Sequence, residues 1–240
     1  MTASDDRTSI ETSNPVAIKL GLMTSLPLYW PLGVQMGELA SGQVPVPWQR
    51  TELEARYAID PLDTLSPVPS FPAGGPDRDP LAGLNALAII QPRGLSPADN
   101  VALDQWVRGG GRLLLMLDPA LTGEYDLPLG DPRRPVDTAL IPPVVARWGL
   151  AISFDDTQAA VVTTTSLDDA PLPLALSGTV AIIDPEAARC TVMADGAAAR
   201  CAVGKGMVTL IADAAVFEHE ELGRADAGVL RAIVSAAIEA

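Results

Sequence analysis

The chain has 240 residues, 48% of them hydrophobic, enough for a sizeable core in one large domain or two small ones. Its formal net charge of −14 excludes non-specific binding to nucleic acid or anionic membrane, which needs clustered Lys and Arg. No apolar run reaches the roughly 18 residues a spanning helix needs, so direct membrane insertion is not expected. The start, MTASDDRTSIETSNP, is polar and acidic and lacks the apolar stretch of a secretory signal. The expected compartment is the cytoplasm. The alternative is extracytoplasmic, for a chain cut from a membrane-anchored protein.

Residues 1–14 read as a disordered tail, and 15–240 as a single α/β domain. Val16 to Met23 reads as a first strand that breaks at Thr24-Ser25-Leu26-Pro27. A helix around Gly33 to Ser41 follows. Arg56 to Ile59 reads as a second strand ending at Asp60-Pro61. The proline-rich stretch 61–80 is a long loop, of the kind that is usually functional or mobile. Leu84 to Gln91 is a third strand.

The next stretch, LSPADNVALDQWVRGGGRLLLMLDPA, spans Leu95 to Ala120 and is the most legible. Ser96 is a helix N-cap and Pro97 sits at N1, where its missing N–H costs nothing. Val101, Leu103, Trp106 and Val107 supply an apolar face, which places Trp106 against the sheet. Gly109, Gly110 and Gly111 stop the helix. Leu113 to Leu117 is an unbroken apolar run, which fits a strand buried on both faces. It ends at Asp118-Pro119.

Beyond it, Pro128 to Pro135 is a polar loop. Thr138 to Trp148 reads as a helix with Pro142-Pro143 near its first turn, capped by Gly149. Ala151 to Phe154 is a short strand. Residues 158–203 are rich in Thr, Val and turn residues and read as a β-hairpin-rich insertion. Gly206 to Ala212 is a last buried strand ending at Asp213, and Asp226 to Ala240 an amphipathic helix. The alternation of strand and helix argues for a mainly parallel, doubly wound sheet.

The two cysteines, Cys190 and Cys201, have neither CxxC nor metal-site spacing. Asp195-Gly196 is a strong two-residue hairpin turn. A hairpin centred there sets Cys190 opposite Cys201, near enough to bridge. In a cytoplasmic protein the expected state is two reduced, facing thiols.

The order of these segments resembles the soluble domain of GldG-type proteins, auxiliary components of ABC transport systems linked to gliding motility. It rests on LSPADNVALDQWVRGGGRLLLMLDP, the helix ending RWGL and the late GKGMVTLIAD strand, over residues 16–235. A related domain accompanies intraflagellar transport proteins. The resemblance implies a flavodoxin-like fold similar to class I glutamine amidotransferases, and a partner among ABC transporter components.

Amidotransferase chemistry needs a nucleophilic Cys on a sharp strand-to-helix turn with a His nearby. Neither cysteine lies at such a turn, and no GxSxG elbow occurs. Gly204-Lys205-Gly206 is no phosphate loop, because Met207 follows and a strand begins. Glu218-His219-Glu220-Glu221 holds the only His and reads as an exposed acidic loop. One His with loose carboxylates is no metal site, and no cofactor is called for. The better constellation is positional. Thr24, Ser25, Gln91, Asp118 and Asp213 follow apolar strands, so parallel strands bring them to one carboxyl edge, where ligands of open α/β sheets bind. Tyr29 and Trp30 could wall a cleft there, and His219 could shape it. The expected function is a non-catalytic binding or accessory domain of a transport-related or other multiprotein assembly. The alternatives are a hydrolase using Asp118 or Asp213 with His219, and a structural subunit whose apolar patch docks a partner.

Overall fold

A computed structural model describes residues 18–34, 37–38, 42, 44–71, 74–225 and 228–239. The tail 1–14 and most of the expected helix at Gly33–Ser41 fall outside the described residues.

Strand propensity and two-sided apolar runs build a seven-stranded sheet of order β2-β1-β3-β4-β11-β10-β9. Its strands are β1 (Ile18–Thr24), β2 (Tyr57–Pro61), β3 (Ala86–Ile90), β4 (Arg112–Met116), β9 (Arg189–Met193), β10 (Ala198–Val203) and β11 (Gly206–Ile211). The run from β2 to β11 is parallel, while β10 and β9 add an antiparallel edge. Two further pairs lie outside it. β5 (Leu150–Ser153) pairs antiparallel with β8 (Thr179–Ile182), and β6 (Val162–Leu167) with β7 (Ala170–Ala175).

The central strands are buried on both faces because the two-residue period feeds two cores. Leu114, Met116, Ala88 and Ile90 face α1 (Trp48–Glu54) and α6 (Val229–Ile238). Leu113, Leu115, Leu87 and Ile89 face α2 (Pro97–Gly109) and α3 (Pro143–Arg147). Helices on both faces of a largely parallel sheet are the layered solution that strand–helix alternation predicts.

The start of α2 follows its sequence signals. The Ser96 hydroxyl accepts from Asp99 N–H, the Asp99 carboxylate accepts from Ser96 N–H, and Pro97 stands at N1. The helix stops where Gly110 turns to a φ of 125°. The phase of its apolar face differs from the sequence reading. Leu103 and Val107 are buried, but Val101 is 56% exposed and Trp106 only half-buried. The inward stripe instead includes Asp99 and Asp104, whose carboxylates are satisfied by partners. Asp99 Oδ1 accepts from Thr64 Oγ1 and from the N–H groups of Leu65 and Ser66, so the start of the proline-rich stretch is pinned to α2.

Three other expectations need correction. The helix placed at Thr138–Trp148 spans only Pro143–Arg147. A residue before proline is steered out of the α region, so Pro142 stays extended and Pro143 begins the helix. After it, Gly149 at φ 80° brings its backbone against Asp184 O, where a Cβ would lie 2.1 Å away. The terminal helix runs Val229–Ile238 after Gly228, not from Asp226, which lies outside the described residues. And EHEE is not a plain exposed loop. It joins two short helices, α4 (Ala215–Glu218) and α5 (Glu220–Gly223).

The Asp195-Gly196 hairpin has the register read from sequence, Cys201 opposite Cys190 and Ala198 opposite Met193. Asp195 and Gly196 both take positive φ, 53° and 97°, and Ala197 N–H closes the turn on Ala194 O. This is the type I′ geometry that Asp-Gly favours. The expectation of free thiols is overturned: Cys190 and Cys201 form a disulfide with Cα atoms 4.0 Å apart. Directly opposed positions on an antiparallel pair hold two side chains at bonding range.

Candidate functional site

The parallel register puts the carboxyl ends of β1, β3, β4 and β11 on one edge. Thr24, Ser25, Gln91, Asp118 and Asp213 therefore share that edge. The strand order reverses there, since β2 lies on one side of β1 and β3 on the other. Such a switch point opens the crevice that receives ligands in open α/β sheets.

Here the chain fills that crevice with its own backbone. Gln91 adopts a left-handed φ of 46°, which few non-glycine residues do without compensation. Its side-chain amide acts like a peptide group: Oε1 accepts from Asp118 N–H at 2.8 Å and Nε2 donates to Asp118 O at 3.1 Å. Nε2 also donates to Val136 O at 2.9 Å. Ser25 Oγ donates to Gln91 O at 2.6 Å and accepts from Val136 N–H. Ala139 N–H donates to Asp118 O. The segment after β4 is thus laced over the β1–β3 crevice. Thr24 Oγ1 accepts from Leu26 N–H at 2.9 Å, closing a local turn.

The two aspartates are spent in the same way. Asp118 is 0% exposed, with Oδ1 accepting from Ala120 N–H and Oδ2 from Ala214 N–H, each at 2.8 Å. Asp213 is 1% exposed and accepts from Ala215 and Ala175 N–H, each at 2.7 Å. Burial pushes Asp118 up to about 7, with the Glu218 charge adding to it, against the pull of its two N–H donors. Burial, reinforced by the charges of Asp118 and Glu218, pushes Asp213 up to about 8. The Asp118 charge thus reaches Asp213.

His219 does not bond to either aspartate. Its Nε2 lies 2.9 Å from Thr122 Oγ1, and its Nδ1 lies 3.7 Å from Glu221. The residue that sequence reasoning passed over is Glu218. Its carboxylate accepts from Thr122 N–H, Gly123 N–H and Tyr125 Oη, at 2.9, 3.0 and 2.7 Å. Burial and that carboxylate raise the Tyr125 phenol above its ordinary value. The only sequence signal for Glu218 was its place just after the strand that ends at Asp213. Among the described residues, no group of three or more His, Cys, Asp or Glu is arranged to hold a metal ion.

What stays open on this edge lies to one side, over β1 and β2. A pocket of about 150 Å³ is lined by Thr24, Leu26, Tyr29, Trp30, Leu62 and Asp63. Tyr29 and Trp30 meet edge to face with centroids 4.9 Å apart. The Arg50 guanidinium lies 4.1 Å from the Tyr29 centroid. Trp30 is 54% exposed.

Residues 31–170, more than half of the chain, match the family model described as an ABC-type uncharacterized transport system. A search of the curated proteins finds no match. Among solved structures, the chain is similar to the exo-beta-1,4-mannosidase Op5Man5 from Opitutaceae bacterium strain TAV5. That superposition covers 92% of this chain and 35% of the mannosidase, at 15% identity and a TM-score of 0.49. A cold-adapted beta-galactosidase from Rahnella sp. R3 follows at 11% identity, covering 82% and 29%, with a TM-score of 0.44. A catalytic mutant of Gan42B, a GH42 beta-galactosidase from G. stearothermophilus, gives 14%, 84% and 28%, with 0.43. The chain spans about a third of the length of these enzymes, and the likeness is too loose to bear on its chemistry. No helix among the described residues is long and apolar enough to cross a membrane.

Proposed function

The chain belongs to the family of ABC-type uncharacterized transport systems, and from that premise we propose that it is a non-catalytic binding domain serving such an assembly. The observation that carries this reading is the filled crevice. Ser25, Gln91 and Asp118 bond to the chain's own loop where a substrate would otherwise enter. The competing hydrolase reading needs Asp118 or Asp213 to reach a substrate with His219. Both carboxyls are enclosed, each oxygen accepts a backbone N–H, and His219 is turned to Thr122. Amidotransferase chemistry lacks its nucleophile, since both cysteines are joined in the β9–β10 hairpin.

In this reading the sheet is of the flavodoxin-like, glutamine amidotransferase-like class, and residues 15–240 act as one domain with 158–203 as its β-rich insertion. The partners are components of the transporter, met through Tyr29 and Trp30 at the open end of the edge. The disulfide speaks for the extracytoplasmic alternative, because such bonds persist in oxidising compartments.

The test is co-expression with the ATP-binding and membrane subunits of the transport system, followed by purification in detergent. Wild type is expected to co-purify. Trp30→Ala is expected to lose at least about tenfold in association with little change in melting temperature, as befits an exposed aromatic anchor. Turnover of ester, amide or glycoside substrates, lost on Asp118→Ala in a folded protein, would refute the non-catalytic role.

A further inference from the structure

A recess of about 520 Å³ lies between α2 and α3, on the face of the sheet shared with Trp148 and not beside Asp118 or Asp213. One wall is α2, with Val101 and Arg108. The other is α3, with Pro143, Val144 and Arg147. Asn100 Oδ1 accepts from Val144 N–H and ties the two walls together. Val101 stands 56% exposed in the recess although α2 has an otherwise regular inward stripe. Leu140 and Ile141, 63% and 41% exposed, precede Pro142-Pro143 in the chain.

Charge decides what fits there. Asp104 sits at the base, 6% exposed, and accepts from Trp148 Nε1, Arg108 Nε and Arg147 Nε. One buried carboxylate thus fixes two guanidiniums, one from each wall. The Arg side chains remain 39% and 66% exposed. Two cations against one anion leave the recess net positive, in a chain whose net charge is −14. Fixed guanidiniums favour planar, bidentate carboxylates, and they lose little entropy on binding because Asp104 already holds them.

We propose that this groove docks a partner-protein segment that places an apolar side chain on Val101 and Pro143, with carboxylates on Arg108 and Arg147. The proposal rests on the accessory reading only in taking the occupant to be protein. It does not use the Tyr29–Trp30 pocket.

The probe is a fluorescent peptide of alternating Leu-Leu and Glu-Glu pairs, with a Lys-for-Glu counterpart, titrated against the full chain. The acidic peptide is expected to bind and the basic one to fail. Val101→Asp and Arg147→Gln each alter an exposed side chain and leave Asp104 paired to Arg108 and Trp148. Each is expected to weaken the acidic peptide at least tenfold, while Trp30→Ala leaves it unchanged. Equal binding of both peptides, no binding of either, or binding untouched by Val101→Asp would overturn the groove. None of these outcomes bears on co-purification with the transporter, which tests the accessory reading separately. A dimer of the chain alone that Val101→Asp dissolves would also overturn the proposal, making the occupant a second copy.

Discussion

Trp148→Ala is expected to destabilise the fold by about 4 kcal/mol, the range for removing a fully enclosed large aromatic. Trp148 is 0% exposed and packs in the cluster that holds Leu103, Val107 and Leu113. Its loss leaves a cavity beneath α2 and α3. It also removes one of the donors of Asp104, a buried carboxylate that depends on hydrogen bonds to stay charged. Trp148→Phe keeps most of the volume and loses the Nε1 donor. It is expected to recover the larger part of the loss. Chemical denaturation of the two variants checks this. Equal and small losses in both would mean that the chain packs this face differently.

The second large effect is on pH. Asp118 and Asp213 are raised to about 7 and about 8 in the fold. A carboxyl whose folded value exceeds its unfolded value binds its proton more tightly when folded. The stability it lends is present at low pH and is lost as pH rises through the folded value. Stability should therefore fall from about pH 4, the unfolded carboxyl value, to about pH 8, by on the order of a few kcal/mol, read as a falling melting temperature. Groups shifted the other way act below that window. Asp99, Asp104 and Glu239 are lowered by hydrogen bonds against the cost of burial, and the stability they lend is lost as pH falls through their folded values. The two windows meet at the unfolded carboxyl value, so the optimum is expected at about pH 4. Growing net negative charge also lowers stability as pH rises, so the comparison that isolates the effect is Asp213→Asn. That variant should show a flatter fall from pH 5 to 8 than wild type. A flat or rising wild-type profile over that window would contradict the burial of both carboxyls.

Much of the architecture was legible because its cause is local. Leu113 to Leu117 has no polar residue to place on either face, so it had to be a central strand, and it is. Ser96-Pro97 and the glycines at 109–111 fix the ends of α2 by cap chemistry alone. Asp195-Gly196 fixed the hairpin register, and with it the pairing of the cysteines. The edge on which Thr24, Gln91, Asp118 and Asp213 meet also followed from parallel strands.

What sequence did not show depends on distant partners. Asp104 looks like a surface residue of α2 until Trp148 and Arg147 arrive from another helix. Val101 looks apolar and inward, yet the stripe through Leu103 and Val107 leaves it in solvent. Nothing local announces that Gln91 will replace a peptide group, or that Val136, far along the chain, will close over it. The open carboxyl edge of the sequence reading became a latched one through long-range hydrogen bonds, and a periodicity argument cannot see them.

The β1–β3 crevice is closed by the chain's own loop, through Val136 on Ser25 and Gln91. Amide hydrogen exchange at Val136, Ala139 and Ala214 tests it most directly, since their N–H groups donate to Ser25 Oγ, Asp118 O and Asp118 Oδ2. Exchange of all three in the slow class of the central strands, and faster in Gln91→Ala, is the expected result. Exchange of these amides at the rate of exposed loops in the wild-type protein would mean that the crevice opens, and would contradict it.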